Sequence, residues 1–145
     1  VYDRRMGPLW ERMNEQPRLA TTMLAASVVP KSVGVYAWYR DGEPIYAGRA
    51  LGAKGLQQRV WSKHMATGPD LSRSSFRRNV CSYLGIADTS ITKVRPTRLT
   101  AAQVEPVNAW IRECEIAWIV FDAVEEAKNF ERTLLDEWMP PLSRR

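Results

Sequence analysis

The stretch "GVYAWYRDGEPIYAG", residues 34–48, holds two short β-prone runs on either side of Asp41-Gly42. Its pairing decides what sheet the chain can build. Residues 33–39 are rich in β-branched and aromatic side chains and read as a strand, and residues 45–48 read as its hairpin partner. Each run places a tyrosine in a triplet with glycine and an aliphatic residue, Gly34-Val35-Tyr36 and Tyr46-Ala47-Gly48. Val or Ile would serve a sheet equally well, so the tyrosines ask for a reason. Two closures of the turn give two answers. A two-residue Asp41-Gly42 turn pairs Arg40 with Glu43, sets Tyr46 against Ala37 and sends the tyrosines to opposite faces. A three-residue loop pairs Tyr39 with Glu43 and brings Tyr36 directly across from Tyr46. Only the second makes a site, and Asp-Gly by itself favours the first.

Outward from the hairpin, residues 1–30 read as one or two short helices, broken at Pro17 and closed before Pro30. A helix is expected over 55–66, ending near Gly68-Pro69, and another over 74–84, stopped by Gly85. A polar connection follows. Residues 100–112 form a further helix that Pro106 can open. "EIAWIVF" at 115–121 is apolar on both faces and reads as a doubly buried strand. The last helix spans 123–138 and ends at Pro140-Pro141. The expected fold is α/β of the α+β type, with a small, mainly antiparallel three-stranded sheet flanked by helices. Residues 1–30 are a helical extension of one globular domain at 31–145.

The 145 residues suffice for one core without metal or disulfide staples. A net charge of +5 and a pI of about 9.5 favour a polyanionic partner. Cys81 and Cys114 show neither zinc-ribbon spacing nor a disulfide framework, so a reducing, cytoplasmic setting is expected. No apolar run reaches transmembrane length, and no membrane partner is expected.

In helix 123–138 the residues Val124, Ala127, Phe130, Leu134, Leu135 and Trp138 share one apolar arc, and Glu131 lies inside it. A carboxylate on a buried face needs a cation, either an arginine partner or a metal ion. The second clue is charge. Between residues 49 and 78 stand Arg49, Lys54, Arg59, Lys63, Arg73, Arg77 and Arg78 against Asp70 alone, the expected phosphate-binding surface.

Together these residues resemble the GIY-YIG endonuclease superfamily. Gly34-Val35-Tyr36 and Tyr46-Ala47-Gly48 are similar to its two name-giving triplets; "LQQRV" places Arg59 at the family's helical arginine, and "FERTLL" places Glu131 at its metal-binding glutamate. Arg49 falls where many members carry a basic residue. The resemblance runs from about residue 34 to 143. It implies a GIY-YIG-like core and hydrolysis of DNA phosphodiesters, branched and single-stranded DNA included, by water with one Mg²⁺ or Mn²⁺. In that scheme Glu131 holds the metal and Arg49 and Arg59 bind phosphate oxygens. Tyr36 acts as general base or positions water, its phenolate stabilised by Arg49, Arg59 and the metal. Tyr46 orients water or phosphate across the hairpin, which requires the three-residue turn, with His64 or Lys63 as assistant, and Lys63, Arg73, Arg77, Arg78 and Ser143 contact phosphate or nucleic acid.

Two departures stand out. Where the family ends its motif with an asparagine, this chain has Ser143, which is expected to keep one hydrogen bond of the amide's pair. His64 comes five residues after Arg59, about 140° away on a regular helix. The alternative reading is a catalytically weak or inactive nucleic-acid-binding module of the same fold.

Overall fold

The computed structural model describes residues 7–143. Its centre is one antiparallel sheet in the order β1-β4-β2-β3, built from β1 (Leu19–Ala20), β2 (Gly34–Arg40), β3 (Glu43–Ala50) and β4 (Glu115–Val120). The sheet has four strands where three were expected. The fourth comes from the expected helical extension: after α1 (Pro8–Asn14) the chain pairs Leu19 with Ile116 and Ala20 with Glu115. Thr21 secures the junction, its hydroxyl lying 3.0 Å from the Ile111 carbonyl and 2.9 Å from that of Arg112. Residues 1–6 of that extension lie outside the described residues.

The hairpin takes neither expected register throughout. Asp41 and Gly42 both have positive φ, 52° and 79°, and Arg40 pairs with Glu43, so the turn is the two-residue one. Beyond Tyr39↔Pro44 the register shifts, and Trp38 pairs with Tyr46 while Tyr36 pairs with Gly48. The extra residue in β3, Ile45, is a β-bulge that turns Tyr46 onto the face of Tyr36. Pro44, which has no N–H to give a ladder, sits beside the irregularity.

Alternation along β2 then sorts the core into two layers. Val35, Ala37 and Tyr39 face α1 and α5 (Val124–Glu137), packing with Trp10, Met13, Ala127, Phe130 and Leu134. Tyr36 and Trp38 face the other way, against a helix at Gln57–His64, α2 (Ser75–Tyr83) and α4 (Ala101–Arg112). Trp38 stacks on Phe76 of α2 with ring centroids 4.6 Å apart.

Two helices depart from expectation. Gln57–His64 is a π-helix, closed by the Met65 N–H on the Val60 carbonyl, five residues back. A short α3 (Thr89–Thr92), capped by Asp88, interrupts the polar connection. α4 covers the expected 100–112 segment from Ala101 rather than opening at Pro106, because Thr100 and Gln103 form a reciprocal capping box that nucleates the first turn ahead of the proline. Among the described residues no helix is long and apolar enough to cross a membrane.

Candidate active site

The bulge makes Tyr36 and Tyr46 diagonal neighbours on one face, with ring centroids 6.4 Å apart and planes 27° from parallel. The glycines of both triplets have a packing reason. A Cβ on Gly48 would lie 2.5 Å from the Tyr36 hydroxyl, so only glycine lets that ring cross β3. A Cβ on Gly34 would lie 2.6 Å from the Ile119 carbonyl oxygen.

Beneath the tyrosines lies His64, fully buried. The wider turn of the π-helix brings a residue five positions on closer to the face of its starting point, which reduces the 140° offset from Arg59 expected of a regular helix. His64 Nε2 is 2.7 Å from Tyr36 Oη and Nδ1 is 2.6 Å from Ser74 Oγ. Ser74 in turn caps α2 by accepting the Arg77 N–H at 3.1 Å. The rings of Tyr36, Trp38, Tyr46 and Phe76 surround the imidazole. Burial, and then the charges of Arg59 and Lys63, hold its pKa well below the ordinary value, so His64 is neutral.

The tyrosines move the other way. Burial raises Tyr36 well above 10 and outweighs the opposing pull of Arg59. Tyr46 is also raised, again chiefly by burial, although its hydrogen bond to Ser75 works against the shift. The expected lowering by nearby arginine therefore exists and loses to desolvation, leaving a phenol beside a neutral imidazole.

Tyr36 and Tyr46 open onto a cleft of about 500 Å³ that also exposes Arg49, Arg59, Arg78, Glu131 and Ser143. Seven expected site residues thus meet around one cavity, with His64 behind them. Glu131 is buried on α5 and lies 3.8 Å from Arg49 Nη1, whose side chain is half in solvent. Among the described residues there is no cluster of three metal-ligating side chains. One carboxylate suits Mg²⁺ all the same, since that ion keeps most of its waters and takes its remaining oxygens from one or two carboxylates and substrate phosphate. The donor set fits a largely hydrated ion.

The description "GIY-YIG catalytic domain" matches residues 13–145. The chain belongs to this family of nuclease domains. Neither a search of curated proteins nor one of solved structures gave a match.

In this GIY-YIG domain the serine at the end of the motif does more than expected. Ser143 Oγ accepts the Ala47 N–H at 3.0 Å and donates to the Ala47 carbonyl at 3.5 Å. One hydroxyl reaches both backbone groups on the outer side of edge strand β3, between Tyr46 and Gly48. Asn79 of α2 holds the same turn, donating to the Leu142 carbonyl at 2.7 Å.

Arg77 is corrected. It is buried and donates to the Gly68 carbonyl at 2.7 Å and to Asn108 Oδ1 at 3.0 Å, fastening a loop to α4, so it presents nothing to a nucleic acid. Lys63 and Arg73 line a neighbouring pocket. Sequence reasoning missed Ser74, Ser75, Asn79, Lys93 and Arg95. The Ser-Ser pair ahead of a helical run was a legible cap signal. Lys93 and Arg95 lie in an irregular connection where only tertiary structure places them.

Proposed function

We propose that this GIY-YIG domain is an endonuclease that hydrolyses phosphodiester bonds in DNA with Mg²⁺ or Mn²⁺. The reading rests on one observation above the others: a tyrosine hydroxyl 2.7 Å from a neutral, buried imidazole, at a cleft that also presents three arginines and one carboxylate.

A buried phenol with a raised pKa is a poor base alone. Tyr36 takes a proton from the attacking water as it passes its own to His64 Nε2, so the phenolate never has to persist. In the tautomer this requires, His64 donates from Nδ1 to Ser74 Oγ, which fixes the ring. Arg49 and Arg59 grip non-bridging phosphate oxygens, a two-pronged task suited to guanidinium. Glu131 holds the divalent ion, which when bound neutralises charge on the phosphate and on the leaving oxygen. Tyr46, steadied by Ser75, orients water or phosphate.

The test is cleavage of supercoiled plasmid and of branched or single-stranded DNA over a Mg²⁺ titration, wild type against Glu131→Ala. The expected result is nicking that depends on metal and falls at least 100-fold in the variant. Equal cutting by both proteins, or cutting that survives a chelator, would refute the metal role of Glu131.

A further inference from the structure

Beside the cleft lies a second pocket of about 390 Å³ that the reaction above leaves unexplained. Its walls carry five cations, Arg59, Lys63, Arg73, Arg78 and Arg95, with the hydroxyls of Ser72 and Ser75 and no carboxylate. Such a grouping repels itself: Lys63 has its pKa lowered by burial and then by Arg59, Arg73 and Arg95. Three separate segments are held together to make it, namely the π-helix, the start of α2 with its preceding loop, and the connection before α4. Asp70 ties the last two, accepting the N–H groups of Ser72 and Thr97 at 3.0 Å each while lying outside the pocket wall. The first turn of the nine-residue α2, with its partial positive charge, adds to the field.

Resting on the endonuclease reading, we propose that this pocket is a second phosphate site, which holds a non-scissile phosphate of the strand being cut. Arg59, Ser75 and Arg78 line both cavities, so phosphates in the two would be near neighbours along one strand. The lining has no aromatic side chain to stack a base, and contacts to phosphate alone carry no sequence information. The pocket therefore sets register and requires a phosphate beside the cut. Ser75, hydrogen-bonded to Tyr46, couples occupancy of this site to the tyrosine pair.

Two arms test the proposal. In the first, which needs no turnover, inorganic phosphate is titrated into the protein while backbone amides are followed by NMR. Saturable shifts are expected at residues 72–75, weakened at least fivefold in Lys63→Ala/Arg95→Ala; shifts that are absent, or unchanged in the variant, would overturn the proposal even if the protein proves a nuclease. In the second, methylphosphonate replaces one phosphate at a time around the cut. One non-scissile position should slow wild type about tenfold and the double variant less than twofold. Insensitivity at every non-scissile position, or equal slowing of both proteins, would also overturn it. A protein that cuts nothing but passes the first arm would keep the phosphate site and lose the endonuclease reading.

Discussion

At the scale of single residues, His64 ties the fold to pH. An unfolded histidine takes up a proton near pH 6.5, whereas the buried ring resists it until far lower pH. Below about 6.5 the unfolded chain thus binds a proton that the folded chain does not, and stability falls as pH drops through that window, with the full contribution present above it. The slope from this one group is at most about 1.4 kcal/mol per pH unit. Urea unfolding of wild type and His64→Gln at pH 7.5 and 5.5 should show a smaller acid loss in the variant; equal losses would place the titrating group elsewhere. Gly48 supplies a second residue-level prediction. Gly48→Ala pushes a methyl into the Tyr36 hydroxyl. The expected cost is about 1–3 kcal/mol for overpacking, seen as a lower urea midpoint, together with at least a tenfold loss of cleavage as Tyr36 moves from His64.

At the scale of elements, strands and helices were largely legible, but the devices that aim side chains were not. Residues 33–39, 74–84, 115–121 and 123–138 announced themselves by β-branched content, apolar period and stop signals, and each is found within a residue or two. Asp41-Gly42 left the turn open between two and three residues, and the three-residue loop that the paired tyrosines were expected to require is not the one formed. The bulge at Ile45 is signalled locally only by Pro44, which does not by itself set the register, and the bulge decides that the tyrosines share a face. The π-helix is hidden too: "QQRVWSKH" has no composition that separates five-residue from four-residue closure. Arg77 and Arg73 looked alike in sequence, and tertiary burial of one separates them. Edge strand β3 depends on its cover. Ser143→Ala leaves the Ala47 N–H without its partner, an expected loss of about 1–3 kcal/mol, measured by urea unfolding, whereas Ser143→Thr, which keeps a hydroxyl, should lose less.

At the scale of the whole molecule, the net charge of +5 is concentrated where two cavities meet. DNA binding should therefore weaken steeply with salt as counterions are no longer released favourably. Arg73→Ala, on the exposed rim, should reduce the slope of log Kd against log salt by about 1. Arg77→Leu should leave that slope unchanged and instead lower stability, since its partners Gly68 and Asn108 are stranded. Fluorescence anisotropy over a salt series, with unfolding curves alongside, checks both. A slope change in Arg77→Leu equal to that of Arg73→Ala would contradict the burial argument.

The central claim is that Tyr36, backed by His64, moves the proton of the attacking water. Its most direct test is the single-turnover rate of DNA cleavage by Tyr36→Phe, with DNA affinity measured on the same preparation. The account predicts a rate at least 100-fold below wild type with Kd changed less than twofold, because the hydroxyl acts on the reacting water and not on binding. A Tyr36→Phe rate within twofold of wild type would contradict it.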